Sequence, residues 1–592
     1  MAFKIVAFDI ETHGLGGDPV YWSWCDGADS GGEPLEGCRD FTERFTERLL
    51  SRRYEGAVIV AHNGLRFDFL RFNYSVFVEH GFTVRVWKAH DSIRGMDFVR
   101  ERKVWRLRDT VTWSPSTLAD FSHTFAPSGF EKAKSPDWEN EVFDVENPLH
   151  TRYAINDSVI LQKAAQGYNY FLNDKFGITV RKAVTCSGFS IRALKEFLGG
   201  PIPDWPLSTD ALGRESYHGG LTCAFRNGVF NDVVYLDINS SYGAVMINNP
   251  LPCGLPFRVP GKIKLPGDHL VMATVEIPVG VFPFIMARDE KGFFHRMTGI
   301  FTGVWWNFEL DLQQELGGCV RNIHARYGFP SQFDGVQRFV SRLAEVRHQD
   351  YNGPLGKLAK LMTNSIYGKF SSRPNPTQLV ICAEQPNDSI PYMSPHYGYI
   401  DYCWLVKNRR QPTTRIFWGS YITAKAREQL IRYLMLTPQS EWIYTDTDSI
   451  AVPRRFLKVY RPHLSSEYGK LKLEGKLITF DVRAKKVYRG QSADGTWIYR
   501  AKGIPRKLIR EAFDTGTISY EQMVGLSVHI KGDIVSGDDK IFIKKATRTL
   551  SGPESCLSGT FRKGRWVPKI CDHCGFDPKK LGAYSVDNVK VL

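Results

Sequence analysis

The run EWIYTDTDSIAV, residues 441–452, constrains the fold of this chain most, because Asp446 and Asp448 flank a single threonine inside otherwise strand-forming residues. Two carboxylates so close repel each other and have to be solvated, paired or bound to a cation. Read as a strand, the run alternates with period two and puts both acids on one face, where they converge. Taken alone, the same residues would also suit a polar hairpin turn.

A second strand-like segment ends in an acid. In VVYLDINSSYGAVM the run 233–236 leads to Asp237, and a short polar loop and a helix are expected to follow. Strand, carboxylate and free helix-start amides make a cradle for a metal-bound triphosphate, although an aspartate there could equally cap the helix. A third segment, GKLAKLMTNSIYGKF at 356–370, reads as an amphipathic helix. At about 100° per residue, Leu358, Leu361, Met362 and Ile366 form an apolar stripe, with Lys360, Asn364 and Tyr367 on the opposite face and Gly368 after them. One face packs; the other presents a cation, an amide and a ring.

The N-terminal third holds a separate acidic set. FDIET places Asp9 and Glu11 on one face of a strand end, HNGLRFD supplies Asn63, Phe67 and Asp68, and RYAIND sets Tyr153 and Asp157 one helical turn apart. Each acid singly could be a helix cap or a surface residue.

At 592 residues the chain exceeds one hydrophobic core and is expected to divide into roughly three to five units. Its 77 Lys and Arg against 63 Asp and Glu give a net charge of +14, which favours a polyanionic partner, nucleic acid before anionic membrane. No apolar stretch reaches the ~18 residues of a membrane span. The N-terminus lacks the features of a signal peptide, so a cytoplasmic protein is expected, in the host cell's cytoplasm if the source is viral. The 11 cysteines show no framework spacing, as for reduced thiols, and CDHC, with Cys571 and Cys574, is at most half a zinc site.

In their order along the chain these segments resemble the motifs of family B DNA polymerases. Asp237 with Tyr242 resembles the first motif, Lys360 with Asn364, Tyr367 and Gly368 the second, and Tyr444 to Ser449, with Asp446 and Asp448, the third. Lys486 and Tyr488 in KKVYRG resemble the Lys-x-Tyr signature that holds a primer terminus. Asp9, Glu11, Asp68 and Asp157, with Tyr153, resemble the 3′→5′ exonuclease of the same family. YHGG (Tyr217, Gly219, Gly220), STLADF (with Thr117 and Leu118) and the long gaps between the motifs are similar to the protein-primed branch. Two departures stand out. That branch usually reads Ser-Leu-Tyr-Pro where this chain has Ser240-Ser241-Tyr242-Gly243, which puts the stiffness of the loop in question, since glycine frees what proline fixes. The stretch from Asn63 to Phe67 is also one residue longer than usual, so a small loop difference is expected.

The resemblance implies an α/β multidomain fold. An RNase H-like exonuclease domain would occupy 1–185, and a right-hand polymerase would follow, with palm at 186–249 and 414–519, fingers at 336–370 and thumb at 520–592. Insertions similar to terminal protein regions one and two would occupy 250–335 and 371–413, the latter as a protruding β-hairpin. It implies two Mg²⁺ or Mn²⁺ ions per active site, ligated by Asp237 and Asp448 with Asp446 in support, and by Asp9, Glu11, Asp68 and Asp157 at the exonuclease. Lys360, Asn364, Tyr367, Gly368 and Tyr242 would meet the nucleotide. Lys486, Tyr488, Asn63, Phe67, Thr117, Leu118, Tyr217, Gly219 and Gly220 would meet DNA, and Tyr153 would orient the attacking water. The implied partners of a monomeric enzyme are template and primer DNA, deoxynucleotides and a terminal protein primer, with no membrane. Rival readings are a self-priming polymerase of a mobile element, a repair polymerase using oligonucleotide primers, and a catalytically dead nucleic-acid-binding module. The full set of seven acids argues against the last, because binding alone gains little from carboxylates facing phosphate.

Overall fold

Two large sheets, of ten and seven strands, carry the two groups of acids. The computed structural model describes residues 3–501 except 14–16, 90–91, 133–141, 289–293, 352, 374–376, 395–397 and 408–412. Beyond 501 it describes residues 509–510 and 513–514 and the strands Ser527–Gly537, Lys540–Thr549, Gly559–Arg562 and Arg565–Pro568. Cys571 and Cys574 lie outside the described residues, as does much of the segment expected to form the thumb.

In the ten-stranded sheet, Ile5–Thr12, Val58–Ala61 and Lys103–Asp109 run parallel. Parallel strands need cover on both faces, and the period-two alternation supplies it. Ile5, Ala7, Val58 and Val60 face the helix Pro148–Phe176 with its buried Ala164, Ala165 and Leu172, while Val6, Phe8, Ile59 and Ala61 face a cluster of Phe41, Phe45, Phe69 and Phe72. The antiparallel flank continues through Ser92–Arg100 to Thr83–Ala89.

That edge is closed by a distant part of the chain. Thr377–Ile381 pairs with Thr83–Ala89, Leu379 opposite Val86 and Ile381 opposite Val84, and Gly398–Lys407 and Ser389–Ser394 extend the sheet further. The segment 371–413, expected as a protruding β-hairpin with its ends tied to the core, supplies antiparallel strands that extend this sheet. It satisfies an otherwise open strand edge and contributes Leu379, Ile381, Tyr392, Ile400 and Cys403 to the core of the N-terminal unit.

The seven-stranded sheet is antiparallel throughout, with Gly228–Ile238 between Ser449–Pro453 and Leu471–Ala484. Helix Ile416–Leu434 packs behind it, Leu430, Ile431 and Leu434 joining Val234, Leu236, Ile450 and Val452. Residues 250–335 build their own four-stranded sheet with the helix Asn307–Glu315. A buried ion pair, Arg427 to Glu309 at 2.6 Å, ties that helix to Ile416–Leu434. Helices Gly335–Gln349 and Pro354–Phe370 pack against each other and against the helix Ser241–Asn248, which follows Gly228–Ile238. In Pro354–Phe370, Leu358, Met362 and Ile366 are buried and Leu361 half-buried, while Lys360 and Asn364 are exposed, as the periodicity predicts.

Candidate active sites

The acidic doublet is a hairpin, not one continuous strand. Tyr444–Asp446 pairs with Ser449–Pro453, Asp446 opposite Ser449, and Thr447 and Asp448 form a two-residue turn with Thr447 in the left-handed region at φ 67°. The two acids therefore do not share a strand face; the turn presents Asp448 beside Asp237, whose neighbour Ile238 donates its N–H to Asp448 O at 2.7 Å. Asp446 is already occupied. Its oxygens accept from Lys486 Nζ at 2.6 and 2.8 Å, and Oδ1 also accepts from Thr222 at 2.8 Å. Lys486 is itself a turn residue, at φ 60° between Ala484 and Val487, and its N–H donates to the Tyr444 hydroxyl.

Asp237, Asp446, Asp448, Tyr235 and Tyr488 line a cavity of about 480 Å³. Burial, then Asp448, pushes Asp237 up to about 7, and burial, then Asp446, pushes Asp448 up to about 6; the Lys360 charge opposes both. Tyr242 and Tyr367 lie with ring centroids 3.9 Å apart. The YHGG segment abuts this group: a Cβ at Gly220 would come within 2.9 Å of the Thr447 methyl and 3.0 Å of the Tyr242 hydroxyl, so this position needs glycine. Gly219 lies in open space, its carbonyl accepting from Arg427.

Sequence reasoning missed Glu474, which also lines this cavity. Register along Gly228–Ile238 passes from Gly475 opposite Tyr235 to Leu473 opposite Leu236, so Glu474 is the extra residue of a bulge, re-aimed towards Asp237. Nothing in the letters KLKLEGKL marks that bulge.

The second site lies at the end of the parallel strands. Asp9 and Glu11 leave one face of Ile5–Thr12, Asp68 opens a short helical turn after Phe67, and Tyr153 and Asp157 come from the helix Pro148–Phe176. The longer Asn63–Phe67 loop is absorbed by Asn63 at φ 66° and a single 3₁₀ turn, Gly64–Arg66. Asp109, which the sequence did not single out, holds this loop by accepting the N–H groups of Asn63 and Leu65 at 2.9 and 3.1 Å. Thr117 caps the helix Leu118–Phe125, its hydroxyl accepting from Asp120 N–H. Phe67 carries the Arg71 guanidinium 5.4 Å from its ring. Lys132, also missed, donates to Asp157 at 2.9 Å and lies 5.5 Å from the Tyr153 ring. As one of two lysines in FEKAKSP, it has no periodic signal by which it could have been found.

Burial and then Asp157 push Asp9 up to about 7; burial and then Asp9 push Glu11 up to about 9. Burial and Asp9 raise Asp68, and burial raises Asp157 against the pull of Lys132. Asp68 Oδ1 and Asp157 Oδ1 are buried with no hydrogen-bond partner among the described residues. As the side chains stand, no three of the described acids form a group that would hold an ion alone. Orphaned, mutually repelling carboxylates fit Mg²⁺ bound by one or two of them and completed by phosphate and water.

The family described as DNA polymerase type B, organellar and viral, matches residues 147–392. Among curated proteins, the DNA polymerase of Bacillus phage phi29 is 26% identical over 58% of this chain, and the DNA-directed DNA polymerase of Enterobacteria phage PRD1 is 24% identical over 86% of it and 87% of its own length. The match spans 64% of the phi29 protein's length. The solved phi29 DNA polymerase complexed with primer-template DNA and incoming nucleotide has the same fold, with a TM-score of 0.69 at 19% identity, over 93% of this chain and all of that one. Among the described residues no helix is long and apolar enough to cross a membrane. In sequence the chain is similar to the type B DNA polymerases of the organellar and viral kind, that of phage phi29 among them.

Proposed function

We propose that the chain is a DNA-directed DNA polymerase with a proofreading 3′→5′ exonuclease, protein-primed and strand-displacing, that replicates a phage or linear plasmid genome. The observation that carries this reading is that one chain holds two separate acidic sites on two separate sheets, one of them facing a helix with Lys360, Asn364 and Tyr367. The domain bounds proposed from the motifs go with it, with one amendment: the strands of 377–407 pack with the exonuclease sheet.

At the polymerase site, Mg²⁺ or Mn²⁺ held by Asp237 and Asp448 supplies activation of the primer 3′-oxygen and neutralisation of the leaving pyrophosphate. Lys360, an exposed point charge whose field already reaches Asp237 and Asp448, meets the triphosphate. Tyr367, Asn364 and Gly368 bound the nascent pair, and Tyr242 lies under the sugar, where its bulk excludes a 2′-hydroxyl. Lys486 and Tyr488 stand at the primer end, with Asp446 orienting the lysine. Tyr217, Gly219 and Gly220 guide the strand between the two sites.

At the exonuclease, Asp9, Glu11, Asp68 and Asp157 would hold the metals, one or two of them to each ion, with phosphate and water completing the shell. Tyr153 orients the water, with Lys132 fixing Asp157 beside it. Asn63, Phe67, Thr117 and Leu118 grip a frayed end by stacking and hydrogen bonds, so selection against mispairs comes from the cost of unpairing.

The test separates the sites. Asp237→Ala or Asp448→Ala should abolish primer extension and spare degradation of single-stranded DNA; Asp9→Ala with Glu11→Ala should do the reverse. Near-wild-type extension by Asp237→Ala would overturn the assignment. Extension on unprimed template, with and without a terminal protein offering a hydroxyl side chain, distinguishes protein priming from self-priming.

A further inference from the structure

Arg347 has no part in the scheme above, yet it is buried, whereas Arg338 and Arg342 of the same helix, Gly335–Gln349, are exposed. Its guanidinium leaves the helix towards Ser240, the N-cap of the helix Ser241–Asn248 that carries Tyr242. There it donates to Ser240 Oγ and, at 3.3 Å, to the Tyr468 hydroxyl, and it lies 5.4 Å from the Tyr468 ring and 5.0 Å from the Tyr351 ring. Burying an arginine is costly unless its donors are used, so this placement calls for a reason.

The start of this helix needs holding. Ser240 sits in the left-handed region at φ 48°, a conformation that disfavours a residue with a side chain. Gly243 supplies no stiffness of its own, but it is closely packed: a Cβ there would come within 3.0 Å of Thr363 Cγ2 and 3.3 Å of the Tyr468 ring. On the opposite side the chain at 465–470 grips Asn239. Asn239 N–H donates to Lys470 O at 2.9 Å, Gly469 N–H to Asn239 O at 2.8 Å, and Asn239 Nδ2 to Ser465 O at 2.6 Å. Tyr468 thus stands with its ring against Gly243 and its hydroxyl on Arg347.

We propose that Arg347 and Tyr468 are positioning residues that clamp Ser240 and the first turn of the helix Ser241–Asn248 between the fingers helices and the palm, and so set how strictly Tyr242 excludes a 2′-hydroxyl. A gate that works by bulk discriminates only while its backbone is fixed, because a displacement of about an ångström is enough to misplace a reacting group. Tyr242 lies in the clamped first turn, and the Tyr367 ring against it comes from a fingers helix. Both walls of the sugar pocket therefore depend on how the fingers sit: Arg347 crosses from the fingers to the start of the helix Ser241–Asn248, and Gln337 donates to Ile247 O near its end.

The inference rests on the palm site being a nucleotidyl-transfer site. Single-nucleotide incorporation on a primed template, in the full-length protein, would compare each ribonucleotide with its deoxynucleotide. Arg347→Met and Tyr468→Ala should each raise the ribo-to-deoxy efficiency ratio by about ten- to a hundredfold, the effect of losing a charge-assisted hydrogen bond. Arg347→Lys, which can still donate to Ser240, should lie nearer the wild type. Degradation of single-stranded DNA should stay unchanged and reports that each variant is folded. If a variant fails that control, Tyr468→Phe, which keeps the ring and loses the hydroxyl, decides by whether the ratio rises. A rise in KM for both nucleotide types in the same proportion, with the ratio unmoved, would show that Arg347 meets the triphosphate instead and would overturn the clamp. A wild-type protein that extends no primer at all would overturn the polymerase reading and the clamp with it.

Discussion

Asp9, Glu11, Asp237 and Asp448 all bind protons more tightly in the fold than in an unfolded chain, because burial disfavours their charge and the neighbouring acids add repulsion. The sign follows from linkage. A carboxyl whose pKa is raised on folding contributes stability at low pH, and that contribution is lost as pH climbs through the folded value, here between about 6 and 9. A bound cation replaces the protons and removes the penalty. Added Mg²⁺ should therefore raise the thermal midpoint more at a pH of about 8.5 than at about 5.5, where protons compete for the same oxygens. Equal shifts at both pH values, measured by scanning calorimetry, would mean that these acids are not where the cation binds.

At the scale of elements, function depends on interruptions of regular structure. Two antiparallel pairs end in two-residue turns, Thr447–Asp448 and Lys485–Lys486, and their left-handed residues bring Asp448 and Lys486 to one place. A bulge adds Glu474. The YHGG carbonyls of His218 and Gly219 are held by Arg427, whose other contact is Glu309 in the 250–335 insertion. Both partners of that pair are almost wholly buried. Glu309→Ala would leave Arg427 uncompensated and should cost roughly 3–5 kcal/mol in urea unfolding. Adding Arg427→Met should recover part of the loss. A single variant as stable as the wild type would show that water reaches the guanidinium.

For the molecule as a whole, the 371–413 segment joins the C-terminal end of the helix Pro354–Phe370 to the edge of the ten-stranded sheet. The hairpin of Ser527–Gly537 and Lys540–Thr549 touches the same strands, Ser389–Ser394 and Gly398–Lys407, as well as Ser92–Arg100. Under the proposed function, this hairpin, basic in sequence, and the 371–413 segment would together surround product DNA and part the strands ahead of it. Replacing 376–408 by a Gly-Ser link should therefore spare the filling of a short primed gap and weaken rolling-circle synthesis on a primed circle. It should also lower the thermal midpoint of the exonuclease half, because Leu379, Ile381 and Cys403 leave its core. Full-length displacement products at wild-type yield would remove strand separation from the roles of this segment.

The alternation that puts Asp9 beside Glu11, the strand that delivers Asp237, and the helical face bearing Lys360 and Asn364 follow from local backbone periodicity, and all were legible in the chain read alone. So was the order of the acidic segments, since order needs no geometry. The sequence could not decide between strand and turn for 441–452, because both agree with its composition, and the choice rests on how Asp446 meets Ser449. Nor could it show that Lys132 would find Asp157, that Glu474 would be pushed out by a bulge, or that Arg347 would reach Ser240. The edge of Thr83–Ala89 accepts a strand from far along the chain because its backbone donors and acceptors need partners, and any extended segment of suitable shape can supply them. Local conformation is a property of neighbours in sequence and is written there; the pairing of a single charge or a free strand edge is a choice among distant candidates, and only the folded packing makes it.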